Sequence, residues 1–379
     1  MEGADGNGLT AMQQQISEIV QHGVIDPNFK FSDADFEILS TLRYDPGFTH
    51  TNGGGSSGTA EDELDPRLSA ADVREALGES PLSDSGEYSI DTIAQMLGEM
   101  QKDTLPLSPP PEAEEELETS EYGLKKIFYN RFLLLGEQFK RLNLALSFFK
   151  WNFSIPFELL LEKLIQALPC PLELATDLSS RMQALLSVKK CYKMRVLVSS
   201  SGRMRVEAHE LPQNWGNFAT ASQYFVNTVL RGFLPQQDEV WDVFVDTQAI
   251  VASPFTTFKT TRRGHYNAAR ERMTELSERV HNPARKSEIL VYNSAFELME
   301  GSISNAALLL NGNETSNSLY QTPFLTSGCL CGVMRYYLLK KNLITEGNID
   351  VRHLNVGDQV LLFNGVMGCV RGVIRNSLE

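Results

Sequence analysis

The sequence predicts an α+β protein of two domains, and three observations carry that prediction. A chain of 379 residues can bury a sizeable core and suits about two domains. Short runs that alternate apolar and polar residues read as strands, and longer runs with apolar residues three and four apart read as helices. A first group of these elements closes near Leu211-Pro212, and a second group of short strands and two clear helices fills the remainder.

Residues 31 to 48, around Phe36-Glu37-Ile38-Leu39-Ser40-Thr41-Leu42-Arg43, read as a strand that enters a turn at Asp45-Pro46-Gly47. From Thr51 the composition changes. Gly53-Gly54-Gly55-Ser56-Ser57-Gly58, an acidic stretch with a short helical run at Ile90–Met100, and Pro109-Pro110-Pro111-Glu112 mark an insertion at about 51–120 expected to be mostly disordered. Between Tyr122 and Trp151 apolar residues recur at helical spacing, with Phe139, Leu142, Leu146 and Phe149 on one face and Arg141 beside it. A second helical run, Phe157–Leu168, stops at Pro169, and a third spans about Leu172–Val188. The strand Tyr192–Ser199 turns at Ser200-Ser201-Gly202-Arg203 into another that runs through Ala208. Beyond a helical stretch at Ala221–Leu230 come a strand at Trp241–Thr247 and the two clear helices, Tyr266–Arg279 and Val333–Leu339.

The formal net charge of −14 belongs to one segment. Residues 61–120 hold 17 acidic against 3 basic residues, which leaves 31 of each sign elsewhere. A balanced remainder beside an acidic insertion argues against nucleic acid as a partner, because phosphate recognition needs a basic surface. Five cysteines without metal-ligand spacing, and six scattered histidines, suggest no metal site. The same cysteines fit a reduced, cytoplasmic setting. The opening Met1-Glu2-Gly3-Ala4-Asp5 has neither a basic leader nor an apolar core, and no apolar run approaches the roughly 20 residues of a membrane span, so a soluble, untargeted chain is expected. Asn313-Glu314-Thr315 matches a glycosylation acceptor that such a setting leaves unused.

The motifs that carry chemistry lie in the second half. Met299-Glu300-Gly301-Ser302-Ile303-Ser304-Asn305 puts a carboxylate at a strand end, and Thr322-Pro323 follows. In Leu330-Cys331-Gly332-Val333-Met334-Arg335 a glycine precedes a helical run whose first N–H groups can hold a phosphate. A carboxylate and a phosphate grip together suggest pyridoxal 5'-phosphate.

The order Glu-x-Ser-x-x-Asn, Thr, then Leu-x-Gly-Val-x-Arg resembles the signature of the class IV aminotransferases, which are fold-type IV pyridoxal-phosphate enzymes. Ala307 departs from it where the family has Phe or Tyr, and Tyr320 where it prefers an aliphatic residue. Upstream, Thr256-Thr257-Phe258-Lys259-Thr260-Thr261-Arg262-Arg263 is similar to the segment of the cofactor lysine, which makes Lys259 the catalytic candidate. Leu361-Leu362-Phe363-Asn364-Gly365-Val366-Met367-Gly368 and Gly328-Cys329-Leu330-Cys331-Gly332 look closest to the lyase branch of the family, whose substrate is 4-amino-4-deoxychorismate and whose chemistry serves folate synthesis. The resemblance covers most of residues 30–48 and 122–379. It implies a smaller N-terminal α+β domain at 1–212 and a larger cofactor-binding domain at 213–379, with the cofactor in the cleft between them. Monomer and homodimer both stay open.

The resemblance also assigns roles. Glu300 would face the pyridine nitrogen. The backbone N–H groups of Val333 and Met334, those of the Gly365–Met367 turn, here Val366 and Met367, and the guanidinium of Arg141 would hold the phosphate. Many relatives have Thr where Met334 stands. A substrate with two carboxylates calls for extra cations, for which Arg195 and Arg263 are the candidates, and Thr41 and Asn364 are candidates for the wall above the cofactor. Each has an ordinary alternative: a surface lysine at a helix start, a solvated glutamate before a glycine turn, a helix-surface or strand arginine. Two rival functions remain. One is a branched-chain or D-amino-acid transaminase of the same fold, against which Gly264 counts, because branched-chain transaminases carry a site tyrosine there. The other is a non-enzymatic interaction protein that recruits a basic partner through its acidic segment.

Overall fold

The computed structural model describes residues 11–24, 36–48, 120–171, 177–212, 228, 230–233, 240–279, 285–309 and 320–378. The expected disordered insertion with its short helix at Ile90–Met100, residues 221–227 of the expected helical stretch, the glycosylation match at 313–315 and the expected boundary just after 212 lie outside them.

Among the described residues two sheets organise the fold. The first is antiparallel, in the order β1 (Ile38–Tyr44), β2 (Tyr192–Val198), β3 (Met204–Glu210), with Ile38 opposite Val198 and Tyr44 opposite Tyr192. Alternation sends Ile38, Leu42, Tyr44, Met194, Val196 and Val198 into one apolar core. Helices α1 (Ala11–Ile19), α2 (Glu121–Arg131), α3 (Leu135–Phe148), α4 (Phe157–Ala167) and α5 (Leu178–Leu186) accompany this half of the chain, and α2 to α4 bury Leu124, Phe128, Leu142, Leu160 and Leu164 in the same core. Ser120 caps α2 and Asp177 caps α5, each through its side-chain oxygen.

One helix expectation is corrected here. The single run Tyr122–Trp151 is two helices, because Phe132 is extended and Leu134 left-handed at φ 54°. The break has a tertiary cause: Asp45 N donates to Arg131 O at 2.8 Å and Leu133 N to Arg43 O at 2.8 Å, so residues 131–133 pair with the end of β1 instead of continuing the helix. Of the run expected at Leu172–Val188, residues 172–176 lie outside the described residues, and the helix that is described starts at Leu178, where Asp177 accepts from Ser180 N. The helix α1 was not anticipated from the sequence at all.

The second sheet has eight strands. They are β4 (Trp241–Val245), β5 (Ser287–Tyr292), β6 (Leu298–Gly301), β7 (Asn305–Leu309), β8 (Tyr320–Pro323), β9 (Ile344–Gly347), β10 (Gln359–Asn364) and β11 (Gly368–Ile374), in the order β6-β5-β4-β11-β10-β7-β8-β9. The pairs β4/β5, β4/β11 and β8/β9 are parallel and the rest antiparallel. Here lie the short α6 (Pro254–Thr257), α7 (Gly264–Arg279) and α8 (Val333–Lys340). Tyr266, Ala269 and Met273 of α7 pack on Phe244, Ile289 and Met299, and Met334, Tyr337 and Leu338 of α8 on Leu361 and Phe363. The two departures from the family signature share this second cluster: Ala307 is small where Tyr320 is large, and both are buried. No helix among the described residues is long and apolar enough to cross a membrane.

Candidate active site

The outer edge of β1 brings the two sheets together. Leu39 N donates to Lys259 O at 2.9 Å, Thr261 N to Glu37 O at 2.9 Å and Arg43 N to Gly365 O at 3.0 Å, while Gln138 Nε2 reaches Thr41 O at 3.2 Å. An edge strand needs partners for its backbone groups. Those partners here are the segments expected to bear the site.

Lys259 follows α6, whose capping box between Ser253 and Thr256 fixes the approach. Phe258 is buried against Phe148 and Phe149, which leaves Lys259 on the opposite side of an extended segment, half-buried. Its ammonium makes no hydrogen bond or ion pair among the described residues. Burial first, then the positive charges of Arg141, Arg263 and Lys193, pull its pKa down to about 7, with Glu300 opposing. A good fraction of the amine is therefore neutral near pH 7, the form that condenses with an aldehyde.

Glu300, at the end of β6, is buried. Tyr266 Oη donates to its Oε1, and Asn305 Nδ2 lies 3.4 Å from its Oε2 while also donating to Leu330 O at 3.0 Å. Burial raises the pKa of Glu300 to about 8 against the hydrogen bonds from Tyr266 and the Leu330 backbone N–H and the nearby Arg263 and Lys259. The sequence reading missed Tyr266, since nothing local tells a helix tyrosine to find a carboxylate 34 residues away. Gly264, where a tyrosine was sought, faces open space, and Tyr266 stands two residues further on, so the lack of tyrosine at 264 does not leave the site without one.

Two parts of the expected phosphate grip, Arg141 and the start of α8, fit a bound dianion. Arg141 is buried and its pKa is pulled down to about 10 by desolvation. Among the described residues its guanidinium meets only neutral acceptors, Ser40 Oγ at 3.1 Å and Gln138 Oε1 at 2.9 Å. A buried guanidinium without a counter-anion is costly, and a phosphate would supply one. Near it, α8 opens at Val333 behind Gly332 with no side-chain cap, so the first N–H groups of the helix, Val333 and Met334, have no partner within the helix. Gly332 makes room for Asn305, since a Cβ there would lie 1.8 Å from Asn305 Oδ1 and displace it.

The remaining candidates divide. Arg263 joins the site: its guanidinium donates to Ser302 O at 2.6 Å, lies 4.9 Å from the Tyr266 ring centroid and acts on Lys259. Arg195 is engaged elsewhere, in an ion pair with Glu207 at 3.0 Å across the β2/β3 pair. The missed cation is Lys193, two residues earlier on the same face of β2, half-buried, without a counter-charge among the described residues, and felt by Lys259. Thr41 is half-buried on the face of β1 that carries its register partner Arg195. Asn364 is tied to backbone groups. Its Oδ1 accepts from Val366 N and Met367 N, both at 2.9 Å, and its Nδ2 donates to Ile303 O at 3.0 Å, so it closes the β10/β11 turn and occupies the N–H groups expected for phosphate.

A family model described as amino-transferase class IV matches residues 129–373. The aminodeoxychorismate lyase of Saccharomyces cerevisiae is 37% identical over 361 residues, covering 91% of this chain and 94% of that protein. Among solved structures, a proposed amino-acid aminotransferase from Mesorhizobium loti aligns with a TM-score of 0.47 and 15% identity over 90% of this chain and 100% of its own. The branched-chain amino acid aminotransferase from Escherichia coli gives 0.41 and 15% over 65% of this chain and 70% of its own. The chain belongs to the class IV aminotransferase family and has its fold-type IV architecture.

Proposed function

We propose that the protein is a pyridoxal-phosphate-dependent lyase that converts 4-amino-4-deoxychorismate to 4-aminobenzoate and pyruvate. The observation that carries this reading is the 37% identity to a lyase of that name across 94% of its length. Lys259 would hold the cofactor's aldehyde carbon, Glu300 its ring nitrogen, and Arg141 with Val333 N and Met334 N its phosphate. When bound, the cofactor supplies an electron sink for the pair released from the substrate's C4–H bond.

The protein's own residues do the rest. Lys259 Nζ, with its pKa near 7, takes the C4 proton, and it is positioned to return one as the C3–O bond breaks and the enolpyruvyl group leaves as pyruvate. Glu300, which holds its carboxyl proton up to about pH 8, can give it to a basic nitrogen and then stand as the counter-charge. Arg263 and Lys193 are the cations available to the substrate's two carboxylates, in place of the pair Arg195 and Arg263 that the sequence suggested. The ring product is aromatic, so orientation and exclusion of water are the main demands on the site. A cytoplasmic location agrees with five free cysteines.

The test is incubation with 4-amino-4-deoxychorismate in the absence of any 2-oxo acid, recording 4-aminobenzoate fluorescence and pyruvate together. Equal release of both supports the lyase. Cofactor-loaded protein that releases neither, yet exchanges amino groups once a 2-oxo acid is added, is a transaminase.

A further inference from the structure

The turn Gly301–Ser304 is the junction of the site. Glu300 precedes it and Asn305 follows it, Ser302 O receives Arg263, and Ile303 O receives Asn364. Beneath it lies a carboxylate that the chemistry does not use. Glu288, on β5, is completely buried. Its Oε1 accepts from Ser302 Oγ at 2.6 Å, Ser302 N at 3.0 Å and Ile289 N at 2.9 Å, and its Oε2 from Ser304 Oγ at 2.8 Å and Ile303 N at 3.2 Å. The nearest cation among the described residues is Arg270 of α7, 4.0 Å away and itself bonded to Ser302 Oγ at 3.0 Å. Gly301 leaves the room this needs, since a Cβ there would lie 2.9 Å from Glu288 and 2.5 Å from Ser304 Oγ.

We infer that Glu288 is a positioning residue: by gathering the N–H and hydroxyl groups of residues 302–304 it sets the turn, and through Ser302 O it holds the Arg263 guanidinium beside Lys259. The two serines of the Glu-Gly-Ser-x-Ser-Asn string thus serve a carboxylate outside that string. Buried hydrogen-bonded carboxylates of this kind fix one geometry, because losing a partner leaves polar groups unsatisfied. The inference rests on the proposed cofactor lysine and not on the identity of the substrate.

Glu288→Gln keeps the shape but replaces one acceptor oxygen with an N–H donor, so one side of the turn loses its anchor. The charges acting on Lys259 are Arg141 from α3, Lys193 from β2, Glu300 from β6 and Arg263. Of these, Glu300 has its own supports in Tyr266 and Asn305, and only Arg263 depends on Ser302 O. Release of Arg263 removes a positive charge, so the pH midpoint of the absorbance band of the lysine-bound cofactor rises, by roughly half a pH unit or more. The KM for substrate rises about 10-fold with a smaller change in kcat. Ser304→Ala, which removes one hydrogen bond, shifts the midpoint less and in the same direction, and decides the matter if Glu288→Gln does not fold. A lowered Tm with the midpoint unmoved in the folded variants would make Glu288 a packing group only and overturn the inference. The midpoint is read without substrate, so a shift in a protein that forms no 4-aminobenzoate would sink the lyase reading and leave this one intact.

Discussion

Lys259 and Glu300 are tuned in opposite directions, and the cofactor-free protein should reveal it. The native pKa of Glu300 is raised to about 8 from an ordinary value near 4.5, so the native state binds the extra proton between those limits and stability falls as pH rises through them. The native pKa of Lys259 is lowered to about 7 from 10.5, so the unfolded state binds more protons there and stability rises with pH over that upper range. Glu300→Gln should therefore flatten the loss of stability between pH 5 and 8, seen as urea midpoints that separate from the wild type as pH increases. Parallel curves would contradict the assignment. At the phosphate end, Arg141→Lys keeps the charge and loses the planar fork, and should weaken cofactor retention about 10-fold, measured by dialysis and absorbance. Among the carboxylate candidates, Lys193→Met should raise KM about 10-fold and Arg195→Met far less, since Arg195 is already paired with Glu207. Legible at this scale as candidates were the residues whose chemistry is local to a motif: Lys259, Glu300, Arg141 and Gly332. Tyr266, Glu288 and Lys193 were illegible, because each acquires its role from partners on other elements.

Elements were readable wherever local periodicity and burial agree. The helices Phe157–Ala167 and Gly264–Arg279 and the hairpin Tyr192–Glu210 lie within a few residues of where the pattern puts them. The helix break at Phe132–Leu134 was not readable, since its cause is the backbone of β1, about 90 residues earlier in the chain. The turn after β10 shows the same limit: Asn364 fits a site wall by its position in the motif, and the fold gives it a turn to close. Gly332 ties this scale to the site. Gly332→Ala forces Asn305 away from its contacts with Glu300 and Leu330 O and should cost about 1–3 kcal/mol, read as a lowered Tm together with weaker cofactor binding. An unchanged Tm would mean that α8 does not start against Asn305.

For the whole molecule, the acidity and the chemistry occupy different parts of the chain. The surplus of 14 negative charges sits in residues 61–120, and the site is assembled from 40–43, 138–141, 193, 259–266, 300–305 and 330–334. Deleting residues 51–119 should leave turnover within about 2-fold of the full chain. A loss of activity with the fold intact would give that segment a part in the site. Every role proposed above turns on Lys259 as the lysine that takes the cofactor, at the meeting point of β1, β6 and α3. Borohydride treatment of the cofactor-loaded protein, followed by peptide mapping, tests it most directly. The expected result is a single irreversible modification on the peptide containing Phe258-Lys259-Thr260, absent from Lys259→Ala; modification of Lys193 instead, or of no lysine, would contradict it.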